Sequence, residues 1–234
     1  MASSSVKKLY DWQKNKVNNG YNYHGTPAYS PSIAELEKLE AIANSFGFPF
    51  EWLANLINFE SAGTFNPAVQ NASTRATGLI QFMPKTASNM GTSVDALKNM
   101  SFEEQLKWVY QYLWNFLEKR LNSEGKVWES FNQTDLFMII FYPVAVGNPN
   151  YQFPPKVVNA NGGIKTPIDY TNKALKSPPF PNIPFSLADI KKKPTKSSNE
   201  QGQKDFFGEW YFLFSVFLVF GTLLTISIIK SKNN

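Results

Sequence analysis

Cysteine is absent and histidine occurs once, at His24. The first absence excludes disulfides and thiolate metal sites. The second leaves no basis for a histidine zinc site or a Ser-His-Asp triad, and His24, in a polar stretch, reads as a surface residue. No metal and no other cofactor is expected. The opening residues MASSSVKKLYDWQKNKVNNG hold no apolar run, so no amino-terminal export signal is expected there. Internal repeats are also lacking. What the chain does have is apolar and aromatic surface: 43% of its 234 residues are hydrophobic and 15% aromatic, enough for one buried core with appendages and too much for a disordered chain. The net charge of +5 would suit phospholipid, a cell-wall polymer or nucleic acid, but outside Lys191, Lys192, Lys193 and Lys196 the basic residues are scattered and read as solvated surface.

Residues 1–29 are polar, rich in Asn, Lys and Tyr, and without a sustained period, so they read as an extended arm. Helical signals follow. Ser32 and Glu35 form a candidate capping box ahead of Ile33, Leu36, Leu39, Ile42, Ala43 and Phe46, and Gly47 and Pro49 end that pattern. A second helix is expected over about residues 50–61. The segment from Ala62 to Gly78 carries Gly, Pro, Asn, Ser and Thr without period and reads as a long loop. A short helix is expected after Pro84 and a long one after Ser101, where Glu104 completes another capping box. The apolar run from Asp135 to Tyr142 reads as a buried helix, and a last helix is expected over about residues 168–175. The fold class is therefore mainly α.

In the second helix Leu53, Leu56 and Ile57 form an apolar stripe, and Glu60 falls on it. A carboxylate facing a helical core is costly unless neutral, paired or hydrogen-bonded. Burial raises its pKa, and a raised pKa is what a general acid needs near neutral pH.

After Glu60-Ser61-Ala62-Gly63 come Asn66-Pro67, then Ala76-Thr77-Gly78-Leu79-Ile80-Gln81-Phe82-Met83-Pro84, then Thr86-Ala87 and Gly91. This order resembles the lysozyme-like soluble lytic transglycosylase family, where a Glu-Ser at a helix end precedes a Gly-Leu-Met-Gln stretch and a Pro-x-Thr-Ala turn. Further on, Phe141-Tyr142-Pro143 stands where the family has Ala-Tyr-Asn, and Asp169-Tyr170 resembles the tyrosine of its last motif, with Lys165-Thr166 in place of Glu-Thr. The resemblance covers roughly residues 35–176. It implies a lysozyme-like helical catalytic domain over residues 30–176, peptidoglycan as substrate and no nucleic-acid partner.

It also implies a single catalytic residue, Glu60, forming a 1,6-anhydro product without water. No Asp or Glu occurs from Ala62 to Gly91, in passive agreement. Candidate substrate contacts are Ser61, which would orient Glu60 or simply cap the helix, Gly78, where backbone would approach a sugar, and Gln81, which would hydrogen-bond an acetamido group or a hydroxyl. Phe82 with Met83 would form an apolar groove wall or plain core, and Tyr142 and Tyr170 would reach the scissile bond or Glu60 or belong to the core. A hydrolytic muramidase on the same fold and a non-catalytic glycan-binding protein are the alternatives.

Residues 177–205 are rich in Pro, Lys and Ser and read as a flexible linker, and residues 206–234 as a carboxyl-terminal anchor. Within the anchor Trp210 to Ile229 form twenty residues without charge, long enough for one transmembrane helix, with Trp210 and Tyr211 at one edge and Lys230 and Lys232 at the other. A lipid membrane contacted through residues 210–229 is therefore an expected partner. The small domain, the Phe-Tyr-Pro variant and this span resemble virion-associated lytic enzymes of membrane-containing bacteriophages. That implies a virion membrane and host envelope as location and other virion proteins as partners, with a bacterial envelope enzyme as the alternative.

Overall fold

The computed structural model describes residues 1–124 and 131–176. In chain order these form helix α1 (Ser4–Asn18), the short strands β1 (Asn22–Tyr23) and β2 (Thr26–Pro27), then α2 (Ile33–Ser45) and α3 (Phe50–Glu60). After a long loop follow α4 (Pro84–Asn89), α5 (Val94–Lys98), α6 (Phe102–Glu124), α7 (Gln133–Phe141), a 3-10 turn (Pro143–Ala145), α8 (Pro155–Ala160) and α9 (Pro167–Lys176). The mainly helical expectation holds. The linker at 177–205 and the apolar run at 210–229 lie outside the described residues, among which no helix is long and apolar enough to cross a membrane.

Local chemistry starts the helices where the sequence places them. At α2 the Ser32 hydroxyl accepts from the Glu35 N–H at 3.2 Å while the Glu35 carboxylate accepts from the Ser32 N–H at 2.8 Å. Ser101 and Glu104 repeat this ahead of α6, and Asn132 with Asp135 opens α7 with a third reciprocal cap.

Helix α3 is the centre of the core. Phe50 to Asn58 are all buried, as expected of a helix that is largely apolar all round, and it packs against α2, α7 and α9. Its last residue, Glu60, emerges where these helices leave the core open.

Residues 4–18 correct the sequence reading, because they form a helix rather than an extended arm. The buried stripe of α1 is Val6, Leu9, Gln13 and Lys16, two of whose four members are polar, so hydrophobic periodicity is invisible in the sequence. Packing decides the outcome. Full burial of Val6 and Leu9 contributes roughly 4 kcal/mol before entropy costs, and the two polar side chains are hydrogen-bonded to backbone carbonyls of the loop after α3. Ser3 caps the helix by accepting from the Val6 N–H at 3.1 Å.

Candidate active site

Glu60 is the C-terminal residue of α3 and lines an open cleft of about 390 Å³ together with Tyr23, Phe59, Gln70, Gln81, Met83, Phe141 and Tyr170 among others. Among the described residues no other lining residue carries a carboxylate. Desolvation by burial pushes the Glu60 carboxyl up to about 7, and a hydrogen bond from Tyr170 opposes that rise. Its place at the negative end of a helix dipole also disfavours ionisation. The group is thus poised near neutrality, where it can both give and take a proton.

Tyr170 comes from α9, at the far end of the domain. It is 6% exposed, and its hydroxyl donates to Glu60 Oε1 at 3.3 Å. Burial first, then the nearby Glu60 carboxylate, hold its own pKa well above the ordinary value, so it stays a donor. An aromatic box fixes the ring: Phe141 stacks on it, and Phe59 meets it edge-to-face at 5.5 Å. Tyr112 of α6 is close enough for Glu60 to help raise its pKa after burial, while its hydroxyl donates to the Ile139 carbonyl at 3.1 Å.

The turn after Glu60 explains Ser61. This residue is fully buried, and its hydroxyl accepts from the Phe65 N–H at 3.0 Å, so its side chain braces the turn after α3 and is not among the residues that line the cleft. The chain then passes through left-handed conformations at Ala62 (φ 52°), Gly63 (φ 74°) and Phe65 (φ 52°).

In the loop reaching to Phe82, Gly78 is buried at φ 84°, and a Cβ there would collide with the Gln105 amide. Its lack of a side chain makes room for Gln105 rather than for a sugar. Gln105 itself is fully buried, accepting from the Leu79 N–H at 2.7 Å and donating to the carbonyls of Pro67 at 2.9 Å and Leu97 at 2.8 Å. It ties the loop to α6, a role the sequence reading missed.

Gln81 does line the cleft, held at φ 52° with its amide donating to the Gly78 carbonyl at 3.1 Å. Phe82 and Met83 divide the expected wall between them. Phe82 is 3% exposed and packs edge-on against Tyr112, whereas Met83 is 47% exposed and lines the cleft.

Tyr142 is not among the lining residues. Helix α7 ends at Phe141, and at φ −151°, ψ 78° Tyr142 turns away to pack with Tyr151 and Phe153. Ile140 and Phe141 line the cleft instead. The helical phase of the apolar run could have distinguished Phe141 from Tyr142, since the following Pro143 ends the helix. Tyr23, from the segment read as an arm, is another lining residue that sequence reasoning passed over, as are Phe59, Gln70 and Asn71.

No group of three or more His, Cys, Asp or Glu side chains able to hold a metal occurs among the described residues. Neither a curated protein nor a solved structure matches the chain. Residues 38–135, which include Glu60 but neither Tyr23 nor Tyr170, match the model of the transglycosylase SLT domain, and this marks the domain as that of a lytic transglycosylase enzyme.

Proposed function

We propose that the domain cleaves peptidoglycan glycan strands between N-acetylmuramic acid and N-acetylglucosamine, with formation of a 1,6-anhydro sugar and Glu60 as the only acid and base. The observation that supports this reading is a cleft with one carboxyl group, held near pKa 7, and no second carboxylate among the described residues that line it. Most glycosidases use two, about 5–9.5 Å apart, one of which activates water or attacks the sugar.

The steps balance with one proton. Protonated Glu60 gives its proton to the glycosidic oxygen as the bond from that oxygen to the anomeric carbon breaks. The resulting carboxylate, stabilised by the Tyr170 hydroxyl, then takes the proton of the sugar's own 6-hydroxyl as that oxygen bonds to the anomeric carbon. Glu60 ends as it began. The intramolecular nucleophile has a high effective molarity, which removes the need for a second protein carboxylate.

The setting proposed is a membrane anchored through residues 210–229, in a virion that opens the host wall locally during phage infection. Its support is the uncharged run with aromatic and lysine edges, together with the excess of lysines ahead of it.

Mass spectrometry of digested peptidoglycan tests the chemistry. Anhydro ends are expected, reducing ends would establish a hydrolase instead, and unchanged peptidoglycan would overturn catalysis. Recovery of the protein from cells alone and never from purified particles would overturn the virion setting.

A further inference from the structure

The geometry points to the β1–β2 hairpin as a glycan-binding lip of the cleft, on which Tyr23 stacks a saccharide ring. This rests on reading the Glu60 cleft as a glycan site. It concerns residues ahead of the matched segment 38–135.

The hairpin is stiff. Asn22 pairs with Pro27 and Tyr23 with Thr26, and the two-residue turn His24-Gly25 has φ of 47° and 83°, the left-handed pair that a tight hairpin requires. Tyr23 is half-buried and lines the cleft with Glu60, and the exposed His24 ring meets it at 4.3 Å and 67°.

The hairpin and α1 are bolted to the turn that follows the acid. Three successive carbonyls there receive side chains from the amino-terminal segment: the Tyr21 hydroxyl donates to Ala62 at 2.8 Å, Lys16 Nζ to Gly63, and Gln13 Nε2 to Thr64 at 2.9 Å. The Tyr29 N–H also donates to Thr64 at 2.8 Å, and Asn66 Nδ2 reaches back to the Pro27 carbonyl at 2.9 Å. Lys16 is 8% exposed, with the rings of Trp12 and Tyr21 each 4.4 Å from its nitrogen. Left-handed φ at Ala62 and Phe65 is costly for non-glycine residues and persists only when its surroundings over-determine it. The clamp does this, and it fixes the position of Tyr23 relative to Glu60.

A sugar ring has an apolar C–H face and a polar edge. An aromatic ring offered on a rigid hairpin suits the face, and the amides of Gln70, Asn71 and Gln81 in the same cleft suit the edge.

The test uses the full-length chain carrying Glu60→Gln to stop turnover, titrated with soluble uncross-linked glycan strands. Adding Tyr23→Ala or Tyr23→Leu should weaken binding by about tenfold, while Tyr23→Phe, which keeps the ring, should stay within about twofold. In the active background KM should rise by a similar factor with kcat changed by less than about twofold. Leucine retains bulk, so should the alanine variant misfold, the leucine and phenylalanine pair still decides. Equal binding by the Leu and Phe variants would overturn the stacking role while leaving the glycan site intact. Failure of the Glu60→Gln protein itself to bind strands would overturn both.

Discussion

Phe141 lies on Tyr170 with ring centroids 4.1 Å apart and planes 19° from parallel, and the tyrosine it seats donates to Glu60 Oε1. A residue at the end of α7 thus seats the residue of α9 that holds the Glu60 carboxyl. Because the hydroxyl bond favours the carboxylate, it opposes the rise in the Glu60 pKa that burial causes.

Tyr170→Phe keeps the ring stack and removes only the donor. The Glu60 pKa should rise further, so the high-pH limb of the activity profile, where the acid form is lost, should move to higher pH. Under the proposed mechanism the maximal rate should fall by about tenfold, because the carboxylate that would accept the 6-hydroxyl proton is less stabilised. A pH–rate profile of both proteins checks the shift, and an unmoved limb would refute the assignment.

Glu60→Gln should lower the rate by about 10² to 10⁴ from lost acid–base catalysis. It should also change stability in a pH-dependent way. The folded pKa of about 7 exceeds the ordinary 4.5, so the folded state binds more protons between these values. The stabilisation from protonated Glu60 is complete below pH 4.5 and is lost as pH rises through 7. Wild type should therefore lose on the order of 2 kcal/mol relative to Glu60→Gln over that window, after allowing for solvent screening. Urea unfolding at pH 4 and pH 8 measures it.

Gly78→Ala should destabilise the domain by about 2–4 kcal/mol, through left-handed strain and displacement of the buried Gln105 amide. Gln105→Ala in the same chain should make the two losses less than additive, since both act on one contact. A double-mutant cycle by denaturant unfolding gives the coupling.

Deleting residues 1–29 should abolish both stable folding and activity, since it takes Val6 and Leu9 from the core and removes the donors to the Ala62, Gly63 and Thr64 carbonyls. Truncation after Lys204 should leave a folded, active enzyme. Circular dichroism and glycan release on the two truncated proteins test the contrast, and an active chain lacking residues 1–29 would return that segment to the status of an arm.

These cases show what the sequence makes legible. Glu60 stands out because a charge interrupts an apolar stripe, and the starts of α2 and α6 are written as serine–glutamate pairs. The tyrosine of the last motif also meets Glu60 in space. Helix α1 is hidden because half its buried stripe is polar, satisfied only by carbonyls far along the chain. Gly78 looks like a substrate approach until Gln105 is seen filling the space beside it, a contact with no local trace. Tyr142 is displaced by its neighbour because one residue past a helix end the side chain leaves the helical phase.

The bond between Tyr170 and Glu60 joins positions 110 residues apart in the chain. At about 5–20 residues per second, a ribosome makes the acid roughly 5–20 seconds before it makes the tyrosine. Throughout that interval the carboxyl exists without its donor, and the cleft lacks a wall that α9 alone provides. A chain that stops short of α9 therefore holds Glu60 without its hydroxyl donor, and the complete cleft arrives as a step near the close of domain synthesis rather than growing with chain length.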